Sequence, residues 1–209
     1  MEWVKLKARI AQMPVFTTQD VVTLSGQEPS IVSVALTRWC KSGQLLRLRR
    51  GLYALRETDR EVLVNAPVVA SALVEPSYLS GLWMLAQASV IPEAVFALTS
   101  ATRGRRVRFE NTFGRFTYER LPPSGWFGFG PREVDGCDVL FADAEKALLD
   151  AIYWSRTGWD VARFRRDRVD VERIDLDRLE SYIDRWPVRR LIQAVVAFKE
   201  YKEASCLTW

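Results

Sequence analysis

The stretch Leu45-Leu46-Arg47-Leu48-Arg49-Arg50-Gly51-Leu52-Tyr53-Ala54-Leu55 decides how the chain is read. Apolar and basic residues alternate on either side of Arg49-Arg50-Gly51, which predicts a short hairpin with a basic tip. Alternation places Arg47 and Arg49 on one face, with Leu46 and Leu48 inward. Tyr53 is expected in the hairpin's core rather than in contact with a ligand.

Upstream of the hairpin the pattern is helical. Residues 2–12 space Trp3, Leu6, Ile10 and Met13 along one apolar face, and Pro14 stops the run. Phe16-Thr17-Thr18-Gln19-Asp20 reads as a staple and cap opening a second helix, Thr18 to Leu24. Ser25-Gly26-Gln27-Glu28-Pro29 is a turn. A third helix begins at Ser30 and stops at Gly43. Its Val34, Leu36 and Trp39 are expected in the core, with Ser30, Ser33, Thr37, Arg38 and Lys41 outward. Three helices and a basic hairpin, over residues 1–58, is the order of a winged helix-turn-helix. In that arrangement the third helix enters the major groove of double-stranded DNA. Ser33, Thr37 and Arg38 are then the expected base contacts, while Lys41, Arg47, Arg49 and Arg50 meet phosphates.

Charge supports a polyanion partner at this end. Residues 1–60 hold ten Lys/Arg against five Asp/Glu, and the rest holds twenty against twenty-one, so the net +4 is concentrated here. A second basic cluster, Arg103-Gly104-Arg105-Arg106-Val107-Arg108, is either a solvated hairpin or an extra contact to nucleic acid or a partner protein, through Arg103, Arg105, Arg106 and Arg108. In Arg163–Arg168 the cations are interleaved with Asp160, Asp167 and Asp170, and a solvated face is expected.

Residues 56–66 read as a connector, and residues 67–209 as a second, mixed α/β domain ending in helices, making the fold class α+β. Helices are expected at Val68–Val74, at Ser77–Ala88 with Ser77 as its cap, at Ala144–Trp154 capped by Asp143, and at Leu176–Trp186 and Val188–Ala204, broken at Pro187. Strands are expected at Ala94–Thr99, at Arg105–Glu110 paired with Arg115–Leu121, and at Cys137–Phe141. Leu121–Pro131 is a Pro/Gly-rich loop whose Trp126-Phe127-Gly128-Phe129 is expected to bury against the sheet. Trp83, Trp154 and Trp186 fall on apolar helical faces.

Composition excludes several chemistries. The chain has no histidine, which removes Ser-His-Asp and Cys-His catalysis and imidazole-ligated zinc. Cys40, Cys137 and Cys206 are sparse and lack C-x-x-C spacing, so small apolar roles are expected. No cofactor is expected. Asp135, Asp138, Asp143 and Glu145 raise the possibility of a carboxylate-metal nuclease, but Asp143 and Glu145 lie wrongly spaced from Lys146 for a D…[DE]-x-K site. Capping explains Asp143, and Glu145 suits the positive end of a helix. No apolar run is long enough to cross a bilayer, and a cytoplasmic protein is expected.

Longer motifs then become legible. Thr17-Thr18-Gln19-Asp20, the third helix, and the wing residues Arg49, Gly51 and Tyr53 as "R-x-G-x-Y" resemble the winged-helix domain of AbiEi-family antitoxins. Tyr78-Leu79-Ser80 resembles that family's "Y-[IL]-S" segment. Phe141 to Asp150 resembles its "A-x-x-E-K-A-L-L-D" helix. The resemblance runs in order along most of the chain, although residues 160–209 carry no such motif. It implies a transcriptional autorepressor and antitoxin of a type IV toxin–antitoxin system linked to phage defence, with a nucleotidyltransferase-like toxin as its partner. Two other functions stay open at this point: a carboxylate-metal nuclease that uses the winged helix for targeting, and a winged helix serving protein–protein contact.

Overall fold

A computed structural model describes residues 3–206, apart from the side chain of Cys206. Glu2, expected to begin the first helix, and the expected role of Cys206 therefore lie outside the described residues. The architecture is mixed α and β throughout, with helices gathered at the C-terminal end.

The N-terminal elements are α1 (Trp3–Ile10), β1 (Phe16–Thr17), α2 (Thr18–Ser25), α3 (Pro29–Lys41), β2 (Leu45–Arg49) and β3 (Leu52–Leu55). Local chemistry sets their ends. Thr17 and Asp20 form a reciprocal capping box at α2, and Gly26 ends that helix in the left-handed conformation at φ 62°. Pro29 occupies the first turn of α3, where its missing N–H costs nothing. The strands form an antiparallel sheet in the order β1-β3-β2. β1 was not expected; two residues carry no period-2 signal, and pairing with Leu52 and Tyr53 makes them a strand.

The second part contains α4 (Ala66–Leu73), β4 (Ser77–Leu79), α5 (Gly81–Gln87), β5 (Ala97–Thr102), β6 (Val107–Asn111), β7 (Gly114–Arg120), β8 (Phe129–Val134), β9 (Cys137–Ala142), α6 (Ala144–Trp154), α7 (Val161–Arg166), α8 (Leu176–Arg185) and α9 (Arg189–Cys206). Six strands form one mixed sheet in the order β6-β7-β5-β4-β9-β8. The expected helix at Ser77–Ala88 is corrected by this sheet. Its first residues are β4, held between β5 and β9, and the helix proper opens at Gly81 after Ser80. Likewise part of the expected loop is β8, paired with β9 from Phe129↔Ala142 to Val134↔Cys137. Asp143 caps α6 as expected, accepting from the Lys146 N–H at 2.8 Å.

Two apolar cores meet at the hairpin. Leu6, Ile10, Phe16, Val21, Val32, Leu36, Trp39, Leu45, Tyr53 and Leu55 pack among the three N-terminal helices. Leu48, Leu52 and Ala54 belong instead to the larger core, built on α4, the mixed sheet and α5, α6 and α9. Each face of the small sheet thus closes a different core. The segment expected as a connector also clasps back on α1: Glu61 N–H donates to the Ala11 carbonyl at 2.9 Å, and Lys7 to the Asp59 carboxylate at 3.0 Å.

Candidate nucleic-acid interface

On α3 the buried residues are Val32, Ala35, Leu36 and Trp39, an i, i+3, i+4, i+7 stripe on one side of the helix. Ser30, Ser33, Thr37, Arg38 and Lys41 all lie on the exposed side. Val34 does not face the core as expected; it is 71% exposed, and Ile31 beside it is 48% exposed. The physical reason is angular: at 100° per residue, Val34 and Leu36 cannot share a face. Ser33 Oγ donates to the Pro29 carbonyl and Thr37 Oγ1 to the Ser33 carbonyl, each at 2.8 Å. Both hydroxyls consequently offer lone pairs outward rather than protons.

The hairpin corrects a second expectation. The register runs Leu45↔Leu55, Leu46↔Ala54, Arg47↔Tyr53 and then Arg49↔Leu52, with a bulge between Arg47 and Arg49. One extra residue breaks the alternation, so these two arginines do not share a face. Arg47 lies opposite Tyr53, on the side of α3, and is exposed. Its charge reaches Cys40 at the end of that helix, opposing the burial that pushes the Cys40 thiol up. Arg49 is half-buried and turned to the larger core: Nε donates to the Leu73 carbonyl at 2.8 Å and a terminal nitrogen to the Arg50 carbonyl at 3.1 Å. It ties the hairpin to α4 rather than standing free for phosphate. Arg50 stays exposed at the turn, where Gly51 adopts φ 79° and its carbonyl accepts from Thr18 N–H at 3.1 Å. Asn111, ending β6, donates to the Leu48 carbonyl at 3.3 Å, so the hairpin is held from both sides.

The cations of residues 1–60 now sort by partner. Lys7 and Arg56 share Asp59 at 3.0 and 2.6 Å, and the hydrogen bond from Lys7, then that from Arg56, hold its carboxyl below the usual range. Arg9 donates to the Leu24 carbonyl, Arg49 to Leu73, and Arg60 lies over the Phe113 ring at 5.6 Å. Arg38, Lys41, Arg47 and Arg50 have no acidic partner among the described residues. All four belong to α3 and the hairpin.

Elsewhere, Arg103, Arg105, Arg106 and Arg108 are exposed around the start of β6, and Arg106 is paired with Glu119 at 2.6 Å. Asp143 accepts from Tyr182 Oη at 2.5 Å besides capping α6, and Glu145 accepts from Asp175 N–H at 2.8 Å. Asp135 accepts from Asn65 at 2.5 Å. Among the described residues no group of three or more Cys, Asp or Glu is placed to hold a metal ion, and no helix is long and apolar enough to cross a membrane.

A buried polar cluster joins the two downstream motifs, and the sequence gives no sign of its burial. Lys146 and Asp150, one turn apart on α6, are hydrogen-bonded and both 0% exposed. Asp150 also accepts from Tyr78 Oη at 2.9 Å and Ser80 Oγ at 2.7 Å. The Lys146 ammonium lies 4.7, 5.2 and 5.7 Å from the ring centroids of Trp186, Phe127 and Tyr78. A Cβ on Gly128 would fall 2.9 Å from that of Lys146, so the Pro/Gly-rich loop closes over the cluster only with glycine there. Burial lowers the lysine's pKa and raises those of Asp150 and Tyr78, because desolvation opposes every charged form. With ammonium and hydroxyls all bonded to the one Asp150 carboxylate, this cluster holds β4, α6 and the loop together.

Residues 5–56 match the model of a family described as "Transcriptional regulator, AbiEi antitoxin". The matched segment runs from α1 through the hairpin, and so contains α3 together with Arg38, Lys41, Arg47 and Arg50. No curated protein matches the chain.

Proposed function

We propose that this chain, which matches the AbiEi regulators over residues 5–56, is a transcriptional regulator that binds double-stranded operator DNA. Residues 1–58 act as a winged helix-turn-helix, with α3 in the major groove and the β2–β3 hairpin as the wing. Arg38 and Lys41 flank Ser30, Ser33 and Thr37 at the groove and neutralise phosphates at its rim, as Arg47 and Arg50 do at the wing. Residues 67–209 form the body that carries antitoxicity toward a nucleotidyltransferase-like toxin in a type IV system, and the protein represses its own operon in the cytoplasm. One observation carries this reading: Arg38, Lys41, Arg47 and Arg50, gathered on α3 and the hairpin, stand exposed with neither an ion pair nor a side-chain hydrogen bond among the described residues. The exposed basic residues Arg103, Arg105 and Arg108 extend that surface to longer DNA.

The test is a salt titration of binding to the duplex upstream of its own gene, with random duplex as competitor. Four phosphate contacts give a log–log slope of about −3.6, and Arg47→Ala/Arg50→Ala makes it shallower by about 1.8. Binding no tighter than to random duplex, with a slope the double variant leaves unchanged, would overturn the regulator reading in favour of a protein-binding winged helix.

A further inference from the structure

We propose that Val34 is a sequence-reading residue that packs against the C5-methyl of a thymine; this rests on the DNA-binding reading above. Val34 lies midway along α3 and is 71% exposed. It stands between two shallow depressions, one bounded by Ser30 and Arg38, the other by Thr37 and Lys41. A β-branched valine gains nothing from such a position: it is a weaker helix former than alanine, and its apolar surface meets water. Ile31, one turn back and 48% exposed, extends the apolar strip.

Charge selects the occupant. The strip is bordered by Arg38 and Lys41, with Arg47 and Arg50 beyond, none carrying an acidic partner among the described residues. A second copy of this chain seated symmetrically here would bring like charges together, whereas the major groove is rimmed with phosphate. Within that groove the thymine methyl is the one apolar group that a base pair presents, and an aliphatic side chain is its natural contact. The outward lone pairs of Ser33 and Thr37 match hydrogen donors such as the adenine amino group paired with that thymine.

Replacing thymine by deoxyuridine removes the methyl and leaves every hydrogen-bonding group of the duplex in place. The upstream duplex is prepared with thymine and with deoxyuridine throughout the protected region, and both are titrated with wild type, Val34→Ala and Ile31→Ala. Wild type is expected to prefer thymine by about fourfold for each methyl it covers, the factor for burying one such group. Val34→Ala keeps its affinity for the deoxyuridine duplex and loses the preference, while Ile31→Ala lowers it less. Equal binding of the two duplexes by wild type, or a preference that survives in Val34→Ala, overturns the assignment. So does a Val34→Ala variant that weakens both duplexes equally and sediments as a smaller species, since the strip would then be a contact between copies. If wild type shows no preference for the upstream duplex over random DNA, the regulator reading itself fails first.

Discussion

Arg47 and Lys146 are cations placed in opposite surroundings. Arg47 stands in solvent beside α3 without an acidic partner among the described residues, and its field is available to whatever approaches. Lys146 is wholly buried, bonded to Asp150 and enclosed by the rings of Trp186, Phe127 and Tyr78. An ammonium removed from water is tolerated only with a partner, and the partnered charge has little left to offer a ligand. The same residue class therefore specifies the interior of one region and the binding surface of the other. Removing Lys146 should affect folding and leave the DNA salt slope alone; removing Arg47 should do the reverse.

The largest effect is expected at the buried pair. Lys146→Met strands the Asp150 carboxylate and should cost about 3–5 kcal/mol in chemical denaturation. Lys146→Met/Asp150→Asn leaves no charge behind and keeps an acceptor for Tyr78 and Ser80, so it should cost clearly less. The sign with pH follows from the raised Asp150 pKa. A carboxyl whose pKa is raised by folding favours the folded state below its unfolded value, near 4, and loses that advantage as pH rises through the folded value. The deficit of Lys146→Met should therefore shrink toward pH 4 and grow as pH rises. Equal costs for the single and double variants would show that packing, not the stranded charge, is what the lysine supplies.

These two sites were unequally legible in the sequence. α6 and α2 could be read because their signals are local: a capping side chain and a helical apolar period, both within a few residues. The outward polar residues of α3 could also be read, but not Val34. The signal was present, since Val32, Ala35, Leu36 and Trp39 form a regular helical stripe, yet small Ala35 is easily passed over for larger Val34. β4 and β8 were missed because neither has a period of its own: β4 exists by lying between β5 and β9, and β8 by pairing with β9. The Lys146 cluster needs an aromatic ring from each of three distant segments, at Tyr78, Phe127 and Trp186. Lys146 and Asp150 at i, i+4 read equally well as a solvated surface pair.

A smaller effect separates the two hairpin arginines, and it is the sharpest test of the bulge. Arg49→Ala removes a charged hydrogen bond to the Leu73 carbonyl and should destabilise the fold by about 1–2 kcal/mol, the lower part of the range for such bonds because the side chain is only half-buried. Once allowance is made for folded fraction, its salt slope should match wild type. Arg47→Ala should leave denaturation within about 0.5 kcal/mol of wild type, as for an ordinary surface substitution, while its slope becomes shallower by about 0.9. If Arg49→Ala instead left stability unchanged and made the slope shallower by as much as Arg47→Ala does, an unbulged hairpin with both arginines toward DNA would be the better description.

The smallest effect is expected at the second basic cluster, where exposed charge is partly neutralised. Arg106 is paired with Glu119 at 2.6 Å and is still more than half exposed, so Arg106→Ala should change stability by less than about 1 kcal/mol. Because that pair already satisfies its charge, its effect on the salt slope should also be small. Arg103, Arg105 and Arg108 have no acidic partner among the described residues and resemble Arg47 in surroundings. They lie away from the hairpin, however: β6 meets it through Asn111, and four residues of strand span roughly 13 Å back to Val107. Only a duplex extending well past the α3 footprint can reach them. Replacing the three together should leave the slope on a short operator duplex unchanged and make it shallower on a longer one, by at most about 0.9 for each arginine. A change on the short duplex would mean that the two basic surfaces lie on one continuous track. No change on either duplex would leave α3 and the hairpin as the sole DNA-binding surface.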